Sequence, residues 1–448
     1  MRRVAGVIST LKGELSGRVD SFEIFLSSRQ GLAIEAKDGE VDALNLSQSS
    51  GVGIKVIKNM RLGFAFSSDM GKDSLKQMLK VAVDGSTVAS SDEFLSFPSK
   101  QDTIPVSTLG LFDKEIDNIT EDEKISMAMK LEDAALRFDT SVRRVRKASY
   151  KENKHNTRII NSNGLDKEYP STRVSCSIMV AAERNGESQM GWEMDTGRYI
   201  SDMDVEQVGR RAARRAVDML GARPIDTVRC NLLLENIVVC ELLEVLANSF
   251  LLDNIEKGKS MLKGKIGNKI ASNTVNIWDN GLLPKGWATA PFDAEGTPTQ
   301  ETALVIDGIC QGHLSDAYWG RRTGAGTTGN AVRSSYMNLP TIGITNIYME
   351  GKGPKLEDLI SDMGNGLFVT ELLGVHTANP VTGDFSLGAA GFMVEGGEVS
   401  YPVRGMAISG NLVDLLLKVE KVGGDLRFFG SVGAPSIVLR DIEVSGSK

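Results

Sequence analysis

Between Asp293 and Gly351 the chain reads DAEGTPTQETALVIDGICQGHLSDAYWGRRTGAGTTGNAVRSSYMNLPTIGITNIYMEG, a run dominated by polar residues, glycine and threonine. One short apolar strand, Ala303 to Ile306, interrupts it. A segment so poor in apolar side chains cannot form a core layer by itself. It is expected to be a set of turns and exposed strands held on a scaffold, where binding and catalytic residues concentrate. Thr297, Thr299, Arg333 and Tyr336 are its candidates for lining a substrate or partner cleft.

The rest of the chain must supply that scaffold. Its 448 residues allow two or three domains, at ~150 residues each. A net charge of -7 argues against non-specific nucleic-acid binding, which needs a basic surface. Cys176, Cys230, Cys240 and Cys310 are widely spaced and form no CxxC pair. They read as free thiols in a reducing compartment, not as a disulfide scaffold or a zinc ribbon. The apolar run Val4 to Ile8 behind Arg2 and Arg3 is too short for a signal segment. No apolar run is long enough to span a bilayer, so a cytoplasmic protein without membrane contact is expected.

Periodicity divides the chain into three sections and points to an α+β fold. Residues 1–110 alternate as strands, at Phe22 to Leu26, Val41 to Gln48, Val52 to Lys58 and Arg61 to Phe66. A turn is expected at Ser49 to Gly51, and a helix over Asp73 to Ala89. In residues 111–224, Thr120-Glu-Asp-Glu123 is a capping box that starts a helix running to about Phe138. Strands follow at Val142 to Lys151, Thr157 to Asn161 and Val174 to Glu183, with Asn163-Gly164 and Asn185-Gly186 as hairpin turns. An amphipathic helix then spans Asp204 to Leu220. Arg210, Arg211, Arg214 and Arg215 crowd its polar side, as a solvated face or a partner surface. Both sections read as antiparallel hairpins with flanking helices. Residues 225–448 open with a strand at Cys230 to Leu234, and a long helix is expected from Asn236 to Asn254. The remainder is strand-rich, with helices at Leu356 to Met363 and Asn411 to Val422.

The chain resembles the TldD/TldE family in Asp293-Ala-Glu-Gly-Thr-Pro-Thr-Gln300, Ser334-Ser-Tyr336, Leu339-Pro340 and Thr345-Asn346-Ile-Tyr348. The resemblance implies a two-subunit cytosolic metallopeptidase, historically labelled a modulator of DNA gyrase. In that family the TldD subunit carries HExxxH on the helix after the opening strand of the last domain, and a cysteine near its C-terminus. An ungapped comparison anchored at Asp253 places Leu243-Glu244 at His-Glu and Asn248 at the second histidine. The C-terminal stretch Asp425 to Ser436 contains no cysteine. His155, His313 and His376 stand apart, and no HExxH or HExxxH occurs. A zinc peptidase needs imidazole or thiolate ligands and a carboxylate beside a metal-bound water. The pattern therefore resembles TldE, also called PmbA, the subunit without the metal site. No catalytic residue, metal or cofactor is expected in this chain.

The resemblance implies a non-catalytic subunit that works with an HExxxH-bearing TldD-like partner on peptides or unfolded protein segments. Two alternatives stay open: a stand-alone peptidase with an unrecognised site, and a non-proteolytic binding protein; in the absence of its partner the chain could form a homo-oligomer. Gly320 to Gly329 lacks the phosphate-loop pattern, although Arg321 and Arg322 could meet an anion.

Overall fold

The computed structural model describes residues 2–447. A helix, α1 (Arg2–Leu15), leads into β1 (Ser21–Lys37), β2 (Glu40–Lys58), β3 (Arg61–Ser67) and α2 (Lys72–Val88). A single turn, α3 (Val106–Leu109), precedes α4 (Glu121–Leu136), then β4 (Val142–Asn161), β5 (Asp166–Arg184), β6 (Glu187–Gly197) and α5 (Val205–Asp218). The six strands form one antiparallel sheet in the order β3-β2-β1-β4-β5-β6. The first two sections thus share a continuous sheet through the pairing of β1 with β4. The Thr120–Glu123 capping box forms as read.

The turn expected at Ser49 to Gly51 does not form. Ser49, Ser50 and Gly51 stay paired with Arg29, Ser28 and Ser27 inside a single strand. The chain reverses at Asp38-Gly39, where φ is +55° and +77°, the conformation a two-residue hairpin turn requires. Gly51 has a different task. A Cβ there would stand 2.2 Å from the Tyr336 ring, and one at Gly53 would stand 2.3 Å from the Tyr336 carbonyl oxygen. These glycines let the sheet touch the C-terminal domain.

All four long N-terminal helices lie on one face of the sheet. Under α1 and α2 it contributes Ile24, Leu26, Ile54 and Val56, and under α4 and α5 it contributes Ile34, Tyr150, Ile178 and Val180. The opposite face meets the C-terminal domain at one end, where Phe25 and Ile159 pack with Phe292 and Tyr336.

The C-terminal domain begins with β7 (Val228–Leu234) and α6 (Asn236–Ala247). β7 sits inside a six-stranded sheet between the strands Gly366–Leu373 and Ile437–Ser445. A second sheet runs through Ile277–Asn280, Ile347–Met349 and Val432–Ala434. α6 joins them: Val239, Leu243 and Leu246 share a core with Leu232 and Leu367 of the first sheet and Ile277 and Val305 of the second. The long helix expected to Asn254 ends at Ala247, and a 3-10 turn follows at Asn248–Phe250. Leu314 breaks it by accepting from the Leu252 N–H and donating to the Phe250 carbonyl, at 2.9 and 2.8 Å. The helix expected over Asn411 to Val422 covers Leu412–Leu417, because Val419–Val422 pairs as a strand with the Ile437–Ser445 strand.

Candidate functional site

The helix on which the family resemblance places a metal motif is α6, so its surroundings decide what chemistry is available. Leu243 is 3% exposed and packs in the core between the two sheets. Glu244 and Asn248 are exposed, and the Asn248 amide donates to the Glu244 carbonyl at 3.3 Å. These three positions are not gathered: five residues along a helix is about 140° of rotation. The side of α6 that meets the C-terminal stretch carries Asn236 and Cys240. Asn236 Nδ2 lies 3.3 Å from the Asp425 carbonyl oxygen, and Cys240 Sγ lies 3.6 Å from the Val432 carbonyl oxygen.

That stretch supplies a cation where a metal site would need a donor. Arg427 donates to Glu193 Oε1 at 2.7 Å and to Asp195 at 3.1 Å, both on β6. Glu193 is 1% exposed. Burial pushes its carboxyl up, but the hydrogen bonds and charges of Arg427 and Arg215 outweigh this and hold it below the usual range. Arg215 also forms a two-pronged pair with Glu235, at 2.7 and 2.8 Å. Burial raises the Cys240 thiol to about 12, so it stays protonated. The donor set here does not fit zinc: a guanidinium cannot ligate it, and among the described residues no three His, Cys, Asp or Glu side chains converge to hold a metal. Sequence reasoning missed Glu193, Arg427 and Cys240. Of these, Cys240 was findable, four residues after Asn236 and four before Glu244.

The arginine cluster of α5 divides: Arg210 and Arg214 stay on a solvated face, while Arg211 and Arg215 turn inward. Arg211 and Arg215 turn toward Glu193 and Glu235, Arg210 pairs with Glu206, and Arg214 stacks on Phe138.

The expectation of exposed segments in the polar stretch holds for Arg321 to Thr327 and Met337 to Leu339 and is corrected by burial elsewhere. Asp293, Glu295, Thr297, Thr299, Asp316, Asn330, Thr345 and Asn346 are all below 9% exposure. Asp293 accepts from the backbone N–H groups of Glu295, Thr297 and Ala331 at 2.9, 3.0 and 3.1 Å. Asp279 accepts from Thr345 N, Thr345 Oγ1 and Asn330 Nδ2. Burial, then the neighbouring Glu295, push the Asp293 carboxyl up against those hydrogen bonds. The segment is thus a folded hub whose side chains satisfy its own main chain.

Two of the four cleft candidates, Arg333 and Tyr336, lie in the seam between this hub and the N-terminal sheet, while Thr297 and Thr299 are held inside the hub. Thr299 Oγ1 donates to the Ala290 carbonyl, and Thr297 is held by its N–H on Asp293. Arg333 reaches Glu23 of β1 at 2.6 Å and stacks 4.3 Å from the Phe25 ring centroid. Lys55 of β2 bridges Glu23 and Glu295 at 3.0 and 3.4 Å. Tyr336 covers Gly51. A shallow surface cannot seal four buried charges, so apolar rings and glycine contacts close round them.

The remaining candidates are separate. His313 is half-buried, His376 is exposed, and His155 lies on β4. Arg321 donates to the Phe94 carbonyl and Arg322 to the Tyr318 hydroxyl, so both spend donors locally. The four cysteines are free. Among the described residues no helix is long and apolar enough to cross a membrane.

Three family models match in succession: PmbA/TldA metallopeptidase domain 1 over residues 22–86, the central domain over 114–220 and the C-terminal domain over 227–446. An Escherichia coli O157:H7 protein named metalloprotease PmbA is 30% identical over 441 residues, covering 98% of this chain and 95% of its own. A Haemophilus influenzae metalloprotease TldD homolog is 26% identical over 90% of this chain and 85% of its own. A Thermotoga maritima structure, described as a candidate modulator of a DNA gyrase, superposes with a TM-score of 0.91 at 26% identity, covering 99% of this chain and 100% of its own. TldE from Thermococcus kodakarensis has the same fold, with a TM-score of 0.91 at 22% identity over 98% of this chain and 100% of its own.

Proposed function

The chain belongs to the PmbA/TldD metallopeptidase family, and from that premise we propose that it is the non-catalytic subunit of a heteromeric peptidase. Its partner is a homologue bearing HExxxH, and the complex processes peptides or unfolded protein segments in the cytoplasm. One observation carries this reading. Arg427, paired to Glu193 and Asp195, occupies the stretch beside α6 where the family resemblance calls for a thiolate. Leu243, in the position of a histidine, is committed to the core. Restoring zinc chemistry would require breaking a buried ion network and opening an apolar layer, so the loss of the site is built into the packing. The family-like hub between Asp293 and Asn346 is meanwhile intact as a structural unit.

The test is co-expression with the HExxxH homologue. The two chains are expected to co-elute on size exclusion, bury more than ~1,200 Å² together, and cut an unfolded peptide only as a mixture. The purified chain alone holding about one zinc per chain, with chelator-sensitive cleavage, overturns the reading.

A further inference from the structure

The face of the N-terminal sheet opposite its helices is covered by the C-terminal domain at one end and open beyond it. At the border of the covered part, Arg29, His155 and Ser171 stand in one row across β1, β4 and β5, and Gly31, Asn153 and Arg173 stand in the next; Arg29 is exposed, His155 and Arg173 are half-buried and Ser171 is buried. Arg29 Nε donates to Asn153 Oδ1 at 2.7 Å, so its guanidinium leans toward Arg173. Arg173 is fixed by a hydrogen bond from Nε to the Trp287 carbonyl at 3.1 Å and by stacking 5.3 Å from the Trp287 ring centroid. Its two terminal nitrogens have no protein acceptor among the described residues and are not sealed from solvent. Behind it lies Arg198, 1% exposed, which donates to the main-chain carbonyls of Thr172, Gly286, Trp287 and Thr289.

This cluster of positive charge has no counter-charge. Among the described residues no ion pair involves Arg29, Arg173 or Arg198. The groups acting on Arg173 and Arg198 include each other or Arg29, but no carboxylate. Burial, then the charges of Arg173, Arg29 and Arg198, push His155 down to about 4 and keep it neutral. Elsewhere in the molecule buried and half-buried arginines are matched: Arg333 with Glu23, Arg427 with Glu193, Arg215 with Glu235. Like charges held this close without a partner repel, and a bound anion relieves that repulsion. Further along the same face Met179 and Trp192 are paired across β5 and β6, with Met190 beside them, exposed by 41%, 39% and 44%. Arg173 and Met179 are six residues apart on β5, ~20 Å.

We propose that the Arg29–Arg173 pair is a carboxylate-binding site for an extended peptide, whose apolar side chains run along the sheet toward Met179 and Trp192. The carboxylate comes from the peptide's C-terminus or from an acidic side chain near it. The guanidinium forks match a carboxylate in two-pronged geometry, and Trp192 and the methionines offer adaptable apolar contact. The pair anchors substrate and performs no bond cleavage. This deepens the reading of the chain as a peptide-handling subunit and rests on it.

The experiment uses the full chain, without partner or metal, and fluorescence anisotropy of labelled, unstructured eight-residue peptides. One peptide ends in a free carboxylate and has no acidic side chain. A second is its C-terminal amide, and a third is the amide with one Glu near the end. Binding of the first or third, with loss for the second, is expected, and the preferred arm identifies the source of the carboxylate. Arg29→Gln should weaken binding ~3- to 10-fold, as should raised salt. Arg173→Gln should do at least as much. Arg29 is exposed, so its variant remains informative even if Arg173→Gln fails to fold. Equal binding of acid and amide, or no response to Arg29→Gln in a folded chain, overturns the site. So does tighter binding of a single-stranded oligonucleotide, or loss of the heteromer on Arg29→Gln with no peptide bound. Cleavage by the heteromer with no such binding sinks the anchor and leaves the subunit reading. Peptide binding with no activity in any mixture does the reverse.

Discussion

Leu243 and Asp293 are both buried in the C-terminal domain, at 3% and 6% exposure, yet their surroundings share almost nothing. Leu243 sits on α6 among side chains of two sheets, where burial of apolar area provides the stabilisation. Asp293 sits in a hub of turns, where carboxylates and amides replace water as partners of the main chain. The difference teaches where each region is fragile. An apolar layer loses stability in proportion to the volume removed. A polar hub fails when one acceptor serves several donors, because removing it strands all of them at once.

The largest effect is expected at Asp293. Asp293→Ala strands three main-chain N–H groups, at ~1–3 kcal/mol each, for a loss of about 5 kcal/mol read as a shift in urea midpoint. Asp293→Asn keeps an acceptor of the same shape for those N–H groups, so it should cost less than half of that. If Asp293→Ala unfolds no more easily than a core truncation, the hub is not held by this carboxylate and the contrast collapses.

Leu243→Ala, the matching cut in the apolar layer, is expected to cost about 3 kcal/mol through lost burial and a residual cavity. Its effect should be independent of pH between about 5 and 8, since no titrating group is exposed by it. A pH-dependent loss would show that α6 leans on charge more than its packing indicates.

Glu241 sharpens the comparison with the smallest effect, because it is the polar exception on α6. Its Oε2 is buried without a hydrogen-bond partner, and burial, then Glu371 and Glu244, raise its carboxyl to about 7. A raised acid binds its proton more tightly in the folded state than in the unfolded one. Its contribution is therefore favourable at low pH and is lost as pH rises from 4.5 toward 7. Glu241→Gln should flatten that slope, raising the melting temperature at about pH 8 and leaving it unchanged near pH 4. Parallel pH profiles for variant and parent would place Glu241 in water.

The amino-acid sequence determined the α+β class, most of the strands, the capping box at Thr120–Glu123 and the helices over 72–88 and 356–363. These depend on contacts within a few residues, which periodicity and turn chemistry record. It also determined that no HExxxH occurs and that residues 425–436 contain no histidine or cysteine, since composition needs no coordinates. Tertiary structure decided the rest. Ser49 to Gly51 looked like a turn because glycine and serine favour turns, but Gly51 is small so that Tyr336 can lie on it, 285 positions later. The end of α6 depends on Leu314, and the burial of Asp293 depends on the N–H of Ala331. The unmatched pair of Arg29 and Arg173, in adjacent rows, exists because β1, β4 and β5 lie side by side in one register. Such features arise from pairings between distant parts of the chain. Local pattern has no access to them, because the free energy that fixes them belongs to neither partner alone.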